Sequence, residues 1–150
     1  MALRRSLISL TLVVVLVSSL AGIAAASTPA GRAARARMLH LVNGSRRANG
    51  RGPLTINFRL SGFAWQHSVR MASSGSLYHS PNVWREVRPF GAHRWGENVG
   101  LSGGTIWALE RAFMASPPHR RNILSTRFHH IGIGVLAVRG RIWVTLDFYG

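Results

Sequence analysis

Two histidines and one glutamate stand in polar segments of the sequence that are framed by glycine or proline. His79 lies in Leu-Tyr-His-Ser, Glu97 in Arg-Trp-Gly-Glu-Asn-Val-Gly, and His119 in Ser-Pro-Pro-His-Arg. Imidazole and carboxylate groups that come together bind a divalent metal or transfer protons. The three residues lie far apart, however, and lack the local spacing of a zinc-binding helix motif such as HExxH. Their spacing alone therefore leaves open whether they meet.

The chain of 150 residues is strongly basic and contains no cysteine. Nineteen basic residues, all of them arginine, outnumber four acidic residues and give a net charge of +15. The lack of cysteine excludes disulfides, thiolate zinc sites and cysteine nucleophiles. A surface of this charge attracts anionic lipids, glycans or cell-envelope polymers. No recognised nucleic-acid motif accompanies the charge, so we expect no specific nucleic-acid recognition.

The N-terminus has the pattern of a secretory signal peptide. Basic residues are followed by an apolar run over residues 7–23 and by three alanines at 24–26. We therefore expect a signal peptide over residues 1–26, a linker over 27–36 and one domain over 37–150, which makes the protein secreted. An uncleaved membrane anchor is the alternative, because the apolar run approaches the roughly 20 residues that span a bilayer.

Three helices are predicted from apolar periodicity and from end signals. Small and apolar residues recur at helical spacing over residues 33–47. Asn57 is a suitable N-cap for a second helix, which Gly75 ends. Thr105 is a suitable N-cap for a third helix that runs to Ala115 and stops before two prolines.

The strand signal is concentrated at the C-terminus. Residues 131–138 and 141–149 are rich in valine, isoleucine and aromatic side chains, and Arg-Gly separates them. This pattern predicts a β-hairpin. Residues 77–104, by contrast, contain many glycines and prolines with little periodicity, which indicates either a functional irregular segment or short elements that the sequence reveals poorly.

Several short patterns follow one another in a characteristic order. They comprise Asn43 and Arg46; Ala64, His67, Ser68, Met71 and Ala72; His79 and Ser80; Gly96, Glu97 and Asn98; Ser116 and Pro117; His119 and Arg120; Asn122, Ile123 and Leu124; residues 131–135; and Trp143, Asp147 and Phe148. This ordered set resembles the CAP superfamily of cysteine-rich secretory, antigen 5 and pathogenesis-related proteins, in its cysteine-free bacterial branch. The resemblance covers residues 39–150.

The resemblance implies an α+β fold, a three-layer α-β-α sandwich with a central antiparallel sheet and a cleft. In the family two histidines and acidic residues converge in that cleft, and the matching positions here are His79, Glu97 and His119. These three side chains would hold Zn²⁺ or another divalent metal, transfer protons without a metal, or form a buried hydrogen-bonded network. Many members carry a second glutamate where this sequence has Ser116, so the four-residue cluster of the family is incomplete.

Two functions are compatible with these residues. The first is a secreted binding module whose cleft or basic surface holds an anionic lipid, a glycan or a cell-envelope polymer. The second is a metal-dependent hydrolase or peptidase that uses His79, His119 and Glu97, with Glu97 as the base. The missing cleft carboxylate and the lack of a recognised nucleophile favour the binding module. His67 lies in an apolar helical stripe, and we expect it to be a hydrogen-bonded core histidine.

Overall fold

The computed structural model describes residues 28–150, and the expected signal peptide lies outside them. Among these residues the helices are α1 (Pro29–Ala48), α2 (Phe58–Ser74), α3 (Val83–Val87), α4 (Ile106–Ala115) and α5 (Pro117–Leu124), and a 3-10 turn spans Arg88–Phe90. The strands are β1 (Thr55–Ile56), β2 (Trp95–Ser102), β3 (His130–Val138) and β4 (Arg141–Tyr149).

The ends of α2 and α4 lie where the sequence signals placed them. Asn57 Oδ1 accepts a hydrogen bond of 3.0 Å from the backbone N–H of Leu60, which satisfies a free donor at the start of α2. Gly75 ends the same helix in the left-handed conformation, with φ of 67°. Thr105 Oγ1 accepts from the N–H of Ala108 at 3.1 Å and begins α4. These predictions are confirmed.

Helix α1 begins earlier than predicted, and α5 was not predicted. Helix α1 begins at Pro29, before the helical spacing that starts at residue 33, so most of the expected linker over residues 27–36 is helical. Helix α5 begins at Pro117, and Ser116 alone separates it from the end of α4. Proline is well tolerated in the first turn of a helix because the N–H that it lacks has no intrahelical partner there. The prolines that end one helix therefore also begin the next.

The four strands form one sheet in the order β1-β3-β4-β2. The hairpin of β3 and β4 is confirmed, and its turn residues Arg139 and Gly140 have φ of 50° and 70°. Two successive left-handed residues match the twist that a two-residue hairpin turn requires. Strand β2 pairs antiparallel with β4, whereas the short β1 pairs parallel with β3. The sheet is therefore mixed and mostly antiparallel.

Helices cover both faces of the sheet and give the three layers implied by the resemblance. Helices α2 and α3 pack on one face, and α1, α4 and α5 pack on the other. The main core lies on the second face and consists of apolar side chains from β3, β4 and these three helices. Helix α2 approaches β3 so closely that a Cβ atom at Gly134 would lie 2.3 Å from the backbone of Ala64. Only glycine allows this contact.

Strand β2 lies within residues 77–104 and is one of the elements that the sequence revealed poorly. Five consecutive residues, 96–100, are buried because helices cover both faces of the strand. A Cβ atom at Gly100 would lie 2.7 Å from the ring of Phe113, so the glycine permits close packing of α4. Within residues 28–150, no helix is long and apolar enough to cross a membrane.

Candidate functional site

Glu97 lies in the middle of the buried part of β2, with its side chain on the face of the sheet that α2 covers. The residue is 6% exposed. Its carboxylate accepts hydrogen bonds through Oε1 from His79 Nδ1 at 2.6 Å and from the backbone N–H of Ser80 at 2.9 Å. These contacts join the loop after α2 to the strand. The glutamate is therefore held by a strand and by the neighbouring loop.

His79 forms a dyad with Glu97 and presents its ring to solvent. Its side chain is 64% exposed, whereas that of Glu97 is 2% exposed. Because the carboxylate can only accept, the proton of this hydrogen bond is on His79 Nδ1. Nε2 of the same ring takes no part in this bond. A carboxylate that orients an imidazole in this way is the arrangement found behind metal-binding and general-base histidines.

His67, from α2, lies on the other side of the Glu97 carboxylate. It is 2% exposed, so its predicted burial is confirmed. His67 Nε2 donates to the carbonyl of Tyr78 at 2.8 Å and lies 3.9 Å from Glu97 Oε2. Among the described residues, neither Glu97 Oε2 nor His67 Nδ1 has a hydrogen-bond partner. Unpaired buried polar atoms cost stability, so this cluster is not built for stability alone.

Asp147 is the residue of the cluster that the sequence did not reveal as a partner of Glu97. It lies directly opposite Glu97 in the pairing of β2 with β4 and is 1% exposed. Burial raises the pKa of Asp147 well above its ordinary value, and the charges of Glu97 and Glu86 raise it further, while Arg70 opposes the shift. Asp147 Oδ1, like Glu97 Oε2, has no hydrogen-bond donor among the described residues. The two carboxyl groups can share a hydrogen bond only when one of them is protonated, and the raised pKa assigns that proton to Asp147.

His119 lies in α5, on the opposite face of β2. Its Nδ1 is 2.8 Å from Ser116 Oγ, and its ring packs against that of Phe113 with centroids 5.1 Å apart. The backbone carbonyl of His119 accepts from Asn98 Nδ2 at 3.0 Å, which ties α5 to the strand. Burial lowers the pKa of His119, and the nearby charge of His79 lowers it further. The two imidazoles therefore influence each other electrostatically.

The structure pairs His79 with Glu97 and places His119 within electrostatic range of His79, but it does not unite the three as a metal-binding set. In the part of the chain that the structure describes, no three histidine, aspartate or glutamate side chains are placed to hold one ion. Glu97 Oε1 is already bonded to His79 and Ser80, and His119 Nδ1 is bonded to Ser116. In this arrangement Nε2 of His79 and Nε2 of His119 are the ring nitrogens that these hydrogen bonds leave unused.

Glu110, the nearest acidic residue before Ser116, does not complete the site. It accepts a hydrogen bond of 2.6 Å from Ser45 Oγ at the contact of α4 with α1. Burial raises the pKa of Glu110, while the bond from Ser45 and the charge of Arg111 lower it. The second carboxyl of the site is Asp147 instead, and only the register of β2 against β4 reveals it.

The known proteins that this chain resembles agree with the fold. A model for the cysteine-rich secretory protein family, CAP, matches residues 39–148. The chain belongs to this family. It is 32% identical over 120 residues to the protein YkwD of Bacillus subtilis, a match that covers 76% of this chain and 46% of YkwD. This CAP chain thus spans less than half the length of that relative.

Solved structures show the same CAP fold. An extracellular protein of Bacillus anthracis that contains an SCP domain aligns with a TM-score of 0.68 at 22% identity, over 81% of this chain and 43% of that one. A cysteine-rich secretory protein of Staphylococcus aureus gives 0.64 at 21% identity, over 79% and 39%. An outer surface protein of Borrelia burgdorferi gives 0.67 at 15% identity, over 75% and 88%. Identities this low establish the fold alone.

Proposed function

We propose that the protein is an exported binding module that holds an anionic polymer or lipid surface through its arginine-rich exterior. Seventeen of the nineteen arginines fall within residues 28–150, since the other two precede that range. Fifteen of these seventeen are exposed; Arg35 is half-buried and Arg46 is buried. Such a surface attracts polyanions by its long-range field, and arginine pairs well with carboxylate, sulfate and phosphate groups.

The burial of the acidic residues is the observation that carries this proposal. Glu97, Glu110 and Asp147 are buried, and Glu86 is half-buried. The four acidic side chains that could moderate the arginines are thus largely withdrawn from the exterior. The exposed surface carries almost only positive charge, an arrangement that costs self-repulsion and is relieved by an anionic partner.

Export is supported by the family and by the N-terminal sequence. The structural relatives include an extracellular protein and an outer surface protein. The basic start, the apolar run and the alanines at residues 24–26 have the pattern of a cleaved signal, although they lie outside the described residues. An exported cationic protein meets the anionic polymers and lipids of a cell surface first.

Binding of the purified protein to immobilised anionic and neutral polymers tests this function. We expect retention on oligogalacturonate, heparin oligosaccharides or anionic vesicles, and none on neutral chito-oligosaccharides. Equal retention on charged and neutral supports would exclude charge as the basis of recognition.

A hydrolase is the second candidate, and the His79–Glu97 dyad is the observation that favours it. A solvent-exposed imidazole oriented by a buried carboxylate is suited to act as a general base. Ser116 pairs with His119, but no carboxylate within residues 28–150 bonds to that histidine, so these residues do not complete a nucleophilic triad. Assays against ester and peptide libraries, with His79→Ala as the control, test this function. Turnover that the substitution abolishes would establish hydrolysis.

A further inference from the structure

A cavity of about 560 Å³ lies beside the start of β2 and beneath the C-terminal end of α5. Four arginines line it, together with Trp95 and the segment that follows α5: Arg51, Arg94, Arg121 and Arg127. We refer to this cavity as the arginine pocket. No acidic side chain lines the arginine pocket, and neither His79, Glu97 nor His119 does. It is therefore separate from the candidate site on β2.

The four guanidinium groups of the arginine pocket have no partner among residues 28–150. No hydrogen bond, ion pair or cation–π contact involves their side chains, and all four residues are exposed. Other arginines of the surface do have partners, as Arg120 does in Asn49 and Arg111 in Trp107. Like charges gathered around one cavity repel one another, and an anion in the cavity would relieve that repulsion.

Arg46 holds one wall of the arginine pocket in place from the inside. The residue is 3% exposed, and its guanidinium donates to the carbonyls of Ile123 and Ser125 at 2.6 and 2.9 Å. A third bond of 2.6 Å goes to the carbonyl of Gly52. All these acceptors are neutral, so the buried charge of Arg46 adds to the positive potential. The wall is fixed before any ligand arrives, which lowers the entropic cost of binding.

Trp95 supplies a flat apolar surface at the same cavity. The residue is 49% exposed, although it stands at the start of a strand whose following residues are buried. An exposed tryptophan ring beside unpaired arginines suits a ligand that has both a ring and an anionic group. A cavity of this volume is in the range of about 300–1,000 Å³ that holds small ligands, and the pocket therefore fits a short oligomer.

We infer that the arginine pocket binds an anionic oligosaccharide, with its carboxylate or sulfate groups on the arginines and a sugar ring against Trp95. This inference rests on the proposed function and names the site and the ligand chemistry for it. A single-stranded nucleic acid is the less suitable occupant, because such ligands use several stacking aromatics along a groove. The arginine pocket has one exposed aromatic ring, that of Trp95, since Phe128 is buried.

Two triple variants of equal charge test the position of the site. The pocket triple is Arg94→Gln, Arg121→Gln and Arg127→Gln. The control triple is Arg37→Gln, Arg88→Gln and Arg141→Gln. These arginines are exposed, lie outside the cavity and have no side-chain partner within residues 28–150. Isothermal titration with an oligogalacturonate probe measures each dissociation constant, and thermal melting checks the fold. We expect the pocket triple to bind about tenfold more weakly than the control triple, which corresponds to about 1.4 kcal/mol.

Trp95→Ala and the matched Trp107→Ala test the contribution of the ring. Trp107 is equally exposed and lies outside the cavity. We expect only Trp95→Ala to weaken binding, with no change in the salt dependence, because the substitution removes no charge.

Each result separates the inference from the proposed function. Equal losses of affinity in the two triples would overturn the assignment of the binding site to the arginine pocket. The basic surface as a whole would then be what binds the polymer. A wild-type protein that binds no anionic polymer would overturn both. Tighter, pocket-dependent binding of oligothymidine than of oligogalacturonate would overturn the assignment to a sugar ligand.

Discussion

Asp147→Asn isolates the proton that the Glu97–Asp147 pair holds in the folded protein. Asparagine keeps the shape of the side chain, donates a hydrogen bond to Glu97 as the protonated carboxyl does, and does not titrate. The pKa of Asp147 is raised well above 3.8 in the folded state, chiefly by burial and next by the charge of Glu97. The wild type and the variant therefore differ at this position mainly in their response to pH.

The sign and the limit of the effect follow from proton linkage. A raised folded pKa means that the folded state binds the proton more tightly than the unfolded state does. The resulting stability is fully present below the unfolded pKa and is lost as the pH rises towards the folded pKa. The loss is at most about 1.4 kcal/mol per pH unit, or at most about 2.7 kcal/mol between about pH 5 and about pH 7. Asp147→Asn avoids that loss, so it gains stability relative to the wild type as the pH rises.

Urea unfolding followed by tryptophan fluorescence, at pH values from about 5 to about 8, measures this difference in unfolding free energy. Other titrating groups, such as Glu86 and His119, are common to both proteins and largely cancel in the comparison. Glu110→Gln is the matched control: its pKa is also raised by burial, but no second carboxyl acts on it, so we expect the same sign and a smaller slope. A constant difference between Asp147→Asn and the wild type across this range would refute a protonated Asp147.

Three further predictions concern Arg46, Gly134 and His119. Arg46→Met leaves the carbonyls that Arg46 bonds without donors. We therefore expect the free energy of unfolding, measured in urea, to fall by about 3–5 kcal/mol. An unchanged free energy of unfolding would contradict the role of Arg46. Gly134→Ala forces a Cβ atom against the backbone of α2. We expect overpacking to lower the free energy of unfolding by about 1–3 kcal/mol or more, which a fall in the melting temperature would show. His119 should titrate below 6.5 by NMR because burial and His79 lower its pKa, and its stabilising neutral form is lost as the pH falls. His79→Ala should raise that midpoint, and an unchanged midpoint would show that the two rings do not interact.

Local signals in the sequence predicted the helices that have an N-cap residue and the hairpin that has a short turn. Asn57 and Thr105 cap their helices by hydrogen bonds within three residues, so sequence spacing is sufficient to find them. The terminal hairpin has a two-residue turn and strands rich in β-branched side chains. Strand β2 escaped prediction because it is covered on both faces, and such strands lack the alternation that reveals a half-buried strand. Its interior also carries Glu97 and Asn98, which only their partners in space make tolerable.

The resemblance to a known family identified Glu97 and His79 as neighbours, but the sequence did not reveal what else surrounds the glutamate. Asp147 comes into contact with Glu97 through strand register, and His67 does so through the packing of α2 on the sheet. Both are long-range relations that no local pattern encodes. The arginine pocket escaped prediction for the same reason, since its arginines come from three separate parts of the chain.

The salt dependence of binding to oligogalacturonate tests the central claim, recognition of an anionic polymer by unpaired arginines, most directly. Titrations of the wild-type protein from about 0.05 M to about 0.5 M salt should show a dissociation constant that rises steeply. Salt screens the exposed charges, and it reduces the free energy that the release of counter-ions contributes to binding. The pocket triple should show a shallower dependence than the control triple. A dissociation constant that does not change with salt would contradict the account.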